Sequence, residues 1–308
     1  MKLIGFLFLF FSFFITQTRA QGPAISFDEK ISFFLESVNS KNYESYKQFE
    51  EEIFLSIENQ DGYSDSVLID VIYLNFISPN LYDFNQFEKA IKYIDFVIPK
   101  VIKSYGEYSI ENNLYHHERA YALKSAGFIE EEIKTREYNN NIFKKLLPRY
   151  PAQVEVSYFS NLLNLLSACA GAENFTIYQK YEDDIFQKVL KQDYPDSSLI
   201  NVVYDYFIDP NINFNQFEKA MKYMDFIIPK VISYYGEFSV TNSVYHHLKA
   251  YCLSQLNKAI DEIEIREYNN KIFEKLLNQY PEQVSENYYY NLHFLGNLYI
   301  TTKDHLNE

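Results

Sequence analysis

The sequence predicts an all-α protein, an α-solenoid of about six helix hairpins closed by one terminal helix. Three observations carry that prediction. First, residues 84–151 recur without a gap as residues 214–281, with 41 of 68 positions identical. Tyr115-His116-His117 returns as Tyr245-His246-His247, and Arg136-Glu137-Tyr138-Asn139-Asn140 as Arg266-Glu267-Tyr268-Asn269-Asn270. Second, a finer period lies inside the long one. Apolar pairs beginning at Ile53, Val97, Ile142, Ile185, Ile227 and Ile272 are spaced 42 to 45 residues apart. Third, each pair is followed at nearly fixed distance by a breaker: Gly62, Gly106, Pro151, Pro195, Gly236 or Pro281. Glycine reaches the left-handed conformation that ends a helix, and proline cannot continue one. A stop recurring at constant phase means that each unit closes a helix at the same place, as in stacked helix pairs.

In chain order, Lys2, an apolar run from Leu3 to Ile15 and Thr18-Arg19-Ala20 read as a signal peptide over residues 1–20. The run is shorter than the roughly 20 apolar residues that span a bilayer. Cleavage there implies a secreted or periplasmic protein. It removes Lys2 and Arg19 and no acid, so the net charge goes from −14 to −16. Such an acidic chain disfavours nucleic acid and electrostatic attachment to a membrane. No later stretch is long and apolar enough for membrane insertion after cleavage.

Residues 21–308 read as one repeat domain, a three-unit block over about 26–151 duplicated as about 152–281. The first helices of the pairs are expected near 26–39, 65–77, 109–126, 152–170, 196–208 and 239–255. Their partners are expected near 43–59, 85–104, 128–147, 174–192, 215–234 and 257–278, and the terminal helix near 284–300. Phe87, Ala90, Ile94, Val97 and Val101 recur at three and four, one face of a helix. Ile110, Leu114 and Tyr121 draw a second such line on the next helix. Asp83–Gln86 and Asn213–Gln216 have the spacing of capping boxes. Ser78-Pro79-Asn80 and Asp209-Pro210-Asn211 read as loops that no helix runs through. Pro99 and its copy Pro229 fall inside helices and predict a kink or a split.

The openings Phe87–Tyr93 and Phe217–Tyr223, the Tyr-Gly-Glu turns at 105–107 and 235–237, and the segment Ala120–Gly127 resemble tetratricopeptide repeats, particularly the longer units of kinesin light chains. The resemblance covers roughly residues 25–300. The tryptophan of that family is absent here, and the first helices of the six hairpins lack its Leu-Gly pair. It implies a right-handed superhelix whose first helices line a concave, partner-binding groove.

The remaining residues argue for binding rather than catalysis. No Gly-rich phosphate loop, Gly-x-Ser-x-Gly or His-Glu-x-x-His is present. The adjacent His116-His117 and His246-His247 point about 100° apart on a helix, and neither pair has a ligand four residues on, so no metal is expected. Asp209-x-Asn211-x-Asn213-x-Asn215 copies the first half of a calcium loop but lacks its glycine and its final glutamate. Cys169 and Cys252 lie two units apart and are expected as free thiols, and no cofactor is implied. With 29 Tyr and 27 Phe, most rings belong to packed stripes, since at helical spacing they form core faces.

The reading is a non-catalytic scaffold that binds protein or peptide. Its candidate groove residues are Asn112, His116 and His117 with their copies Asn242, His246 and His247. Two alternatives accompany it: a regulatory or sensor partner of a separate caspase-like peptidase, and a carbohydrate-binding surface protein. The terminal helix has apolar residues that no later helix covers, which predicts a self-capping end or end-to-end self-association.

Overall fold

The computed structural model describes residues 26–59 and 64–305; the leader at 1–20 and Gly62 lie outside the described residues. Among the described residues there is no strand. The chain divides into two compact units, Met1–Asn161 and Leu162–Glu308, and the division falls inside one helix.

The first unit contains α1 (Phe27–Asn39), α2 (Tyr43–Glu58), α3 (Asp65–Ile72), α4 (Phe87–Tyr105), α5 (Ile110–Ala126), α6 (Ile129–Leu146) and the first part of α7 (Pro151–Gly171). The second contains the rest of α7, then α8 (Phe175–Val189), α9 (Asp196–Val203), α10 (Asp209–Asn213), α11 (Phe217–Tyr235), α12 (Val240–Gln255), α13 (Ala259–Leu277) and α14 (Pro281–His305). Consecutive helices pack as hairpins in each unit, α4 on α5 and α5 on α6 in the first, α12 on α13 and α13 on α14 in the second.

Starts and stops follow local chemistry. Ser26 and Glu29 form a full capping box at α1. Ser109 and Ser239 cap α5 and α12 by accepting from the backbone N–H of Asn112 and Asn242. Gly106 and Gly236 end α4 and α11 at φ 96° and 94°.

The segments expected as loops at Ser78–Asn80 and Asp209–Asn211 are helical. After α3 the backbone widens into π-helix over Tyr73–Ile77 and again over Pro79–Asp83. After α9 it does so over Tyr204–Ile208 and then continues as α10. Proline has no N–H for the carbonyl four residues back and crowds it, and a wider turn relieves the clash. The freed carbonyls find other donors. The Tyr46 hydroxyl donates to the Asn75 carbonyl at 3.1 Å, and the Tyr178 hydroxyl to that of Tyr206 at 2.8 Å. Asn80 and Asn211 donate to the carbonyls of Phe76 and Phe207, both at 2.8 Å. Between that asparagine and the phenylalanine before the next helix, the first copy has three residues, Leu81-Tyr82-Asp83, and the second two, Ile212-Asn213. The extra residue accounts for a π turn in one copy and an α turn in the other.

The capping boxes at Asp83–Gln86 and Asn213–Gln216 do not form. Asn85 and Asn215 take the left-handed conformation, and α4 and α11 begin at Phe87 and Phe217 without a side-chain cap. Pro99 and Pro229 do not split their helices. Both rings are exposed, so the missing N–H lies on the solvent side.

The core of the first unit is apolar and aromatic, with Phe34, Tyr46, Phe54, Phe76, Tyr93, Ile94 and Val97 buried together. Two buried polar nodes interrupt it, and each has a twin in the second unit. In the first, Glu50 accepts from Asn80, Tyr93 and Lys89. Its twin Glu182 accepts from Asn211 and, at 2.6 Å, from Lys219. In the second, Arg136 pairs with Glu132 at 2.7 Å, and Asn161 of α7 bonds the Arg136 carbonyl and Asn140. Arg266, Glu262, Asn291 and Asn270 repeat it. Each buried charge is matched by a partner, as burial requires.

Candidate functional site

The predicted site residues lie on α5 and α12, and the structure separates them into two groups. Asn112 and Asn242 are completely buried, and each donates to the carbonyl of Glu107 or Glu237 at 2.7 Å. They tie the Tyr-Gly-Glu turn to the first turn of the helix that follows. His116 and His246 also turn inward. Their rings lie against Tyr138 and Tyr268, with centroids 4.6 and 4.7 Å apart. Burial, with Arg119 or Lys249 nearby, lowers both pKa values to about 4, so both imidazoles are neutral near neutral pH.

His117 and His247 are placed differently. Each is half-buried on a line of its helix whose other members are exposed. Leu114 precedes His117 by three residues and Tyr121 follows by four, so the three share one face. Leu114 and Tyr121 are 46% and 39% exposed; their copies around His247, Val244 and Tyr251, are 42% and 41% exposed. Burial, then the charge of Arg136 or Arg266, lowers the pKa of His117 and His247. Each surface is therefore an apolar stripe with an uncharged imidazole at its centre.

The sequence line Ile110–Leu114–Tyr121 marked this face without showing whether anything covers it. Periodicity shows which residues share a face, and only a neighbouring element decides whether that face is covered. Sequence reasoning also missed a feature of the first unit alone. Tyr82, in the π turn, stacks on Tyr121 with centroids 6.0 Å apart and donates its hydroxyl to the buried Glu118. Burial raises the Glu118 pKa. The second copy has Leu248 in place of Glu118.

The calcium-like loop has a structural use. Asn211 is buried against Glu182, and Asn213 donates to Asp209 at 3.1 Å. Among the described residues no group of three or more His, Cys, Asp or Glu side chains is arranged to hold a metal. Cys169 and Cys252 are buried and are not joined in a disulfide. No helix among the described residues is long and apolar enough to cross a membrane.

No family model matches the chain, and none of the curated proteins does. Among solved structures, it is similar to a kinesin light chain with nearly identical TPR-like repeats from Podosopora anserina. Identity is 14% over 70% of this chain and 96% of that one, with a TM-score of 0.48. A variant of the same protein gives 0.47 at the same identity and coverage.

Proposed function

We propose that this chain is a non-catalytic scaffold that binds protein or peptide segments through the stripes on α5 and α12. The carrying observation is the recurrence of Leu114–His117–Tyr121 as Val244–His247–Tyr251 with nearly equal exposure. Packing does not require a bulky apolar side chain where it meets water, and here two are kept in both copies. Exposed apolar side chains in line at helical spacing suit an amphipathic or extended segment with apolar side chains of its own. A neutral imidazole among them adds polar contacts without the desolvation cost of a charge.

The leader-like first 20 residues support export, and the net charge of −14 disfavours nucleic acid as the partner. Exposed rings that recur between copies, Tyr105 with Tyr235 and Tyr150 with Tyr280, favour glycan stacking as a second reading.

Selection of peptides from a random library against the intact chain tests the proposal. Selected peptides should bind saturably, and a variant combining Leu114→Asp, Tyr121→Asp, Val244→Asp and Tyr251→Asp should lose them while remaining helical. Failure to enrich any peptide, or undiminished binding by the variant, would refute it. Hits on a glycan array in place of peptides would favour the second reading.

A further inference from the structure

Helix α14 repeats α7 with an offset of 130 residues, and the two differ where they are least constrained by packing. Val154 and Asn161 of α7 are buried, as are their counterparts Val284 and Asn291 on α14. That seam is therefore common to both helices. Beside it, Glu286, Tyr289, Tyr290 and His293 line an open, shallow concavity on α14. Their spacing of three, four and seven residues places them on one face. The corresponding residues of α7 are Val156, Phe159, Ser160 and Leu163, a set with no carboxylate and no hydroxylated ring. The fold can thus build this helix without that group of side chains.

Three features fix what the concavity suits. Tyr289 and Tyr290 are 68% and 52% exposed, so their ring faces are open to a ligand. Glu286 makes no ion pair among the described residues, so its carboxylate lacks a cation within the unit. The same helix already seats a cation on an aromatic ring: the Arg266 guanidinium lies 4.7 Å from the centroid of Phe294. Aromatic faces attract cations through their quadrupole, and an adjacent carboxylate adds direct attraction. His293 bounds the concavity, its Nε2 3.2 Å from the Asn297 amide nitrogen. Toward the end of the helix, Ile300, seven residues after His293, is exposed on the same face and continues the surface with an apolar contact.

We infer that α14 is a docking surface for a basic, amphipathic peptide segment, with a lysine or arginine of that segment held by Glu286, Tyr289 and Tyr290. The inference rests on the reading of the chain as a peptide-binding scaffold and adds a second site selective for positive charge. Charge complementarity singles out this occupant. The chain carries a net charge of −14, which steers a basic segment toward it and opposes close approach of a second copy.

The test is fluorescence anisotropy on the full chain with a labelled helical peptide of lysine and leucine. A control peptide has glutamate in place of lysine. The lysine peptide should bind saturably, and more weakly as salt is raised. The double variant Glu286→Gln/Tyr290→Ala should bind it about tenfold less tightly, equivalent to about 1.4 kcal/mol. Both positions are exposed, and an unchanged circular dichroism spectrum confirms folding. The variant of the α5 and α12 stripes should keep this binding, which separates failure of the α14 site from failure of the stripes. Absence of saturable binding, equal binding by the double variant or equal binding of the glutamate peptide would each overturn the inference. So would full competition by tetramethylammonium at the peptide's own half-saturating concentration, which marks a small-cation site. A dimer in light scattering that excludes the peptide would assign the face to a second copy instead.

Discussion

At the scale of single residues, the duplicated histidines show how helix geometry gives neighbours in sequence different surroundings. His116 faces Tyr138, whereas His117, one position on and also half-buried, shares the line of Leu114 and Tyr121. Their environment has a consequence for pH. The folded-state pKa of His116 and His246 is lowered to about 4, below the ordinary 6.5. As pH falls from 6.5 toward 4 the unfolded chain takes up protons that the folded chain refuses, so these residues cost stability in that window. Glu118, with its pKa raised, opposes them because its neutral form suits its buried site. The variant His116→Leu/His246→Leu should therefore lose less stability between pH 6.5 and 4.5 than the wild type. Urea melts at the two pH values check this, and equal losses would contradict it. The sequence made these histidines conspicuous as a pair. It could not say which faces inward, because that depends on where Tyr138 packs.

At the scale of elements, helix periods and stops were legible because local chemistry writes them. Fixed-phase breakers and stripes at three and four placed most helices within a few residues of their observed ends. The departures occur where proline meets a tertiary donor. Pro79 and Pro210 sit inside helical segments because tyrosines from α2 and α8 supply the hydrogen bonds their rings deny. No local pattern announces a donor about 30 residues away. Pro99 and Pro229 are tolerated for a different reason, since their exposed faces let water satisfy the freed carbonyls. Pro99→Ala should thus restore a helical hydrogen bond and stabilise the first unit by up to about 3 kcal/mol. Some of this gain is offset by the greater freedom alanine gives the unfolded chain. Thermal unfolding of the variant checks it, and a lower melting temperature would count against an unstrained helix at that point.

At the scale of the whole molecule, duplication supplied two sets of nearly equal parts, and each buried polar node is completed inside its own unit. The Arg136–Glu132 pair obtains its last partner from Asn161, at the edge of the first unit. A fragment over residues 26–171 retains that partner and should fold cooperatively. One ending at residue 150 exposes Phe143 and Leu146 and leaves Arg136 without Asn161. It should melt at least several degrees lower, since a core left uncovered and a buried charge left short of a partner both cost stability. Circular dichroism melts of the two fragments make the comparison, and equal midpoints would show that α7 contributes little to the first unit.

The sequence by itself determined that the chain is helical, where its hairpins turn and that one block was written twice. These follow from periodicity, from glycine and proline, and from identity at a constant offset, all of which are local. Only the tertiary structure decided which apolar faces are covered, which histidine of each pair meets a tyrosine ring and which prolines a helix absorbs. Each of those depends on a partner distant in the chain, and burial and hydrogen bonding exist only once that partner has arrived.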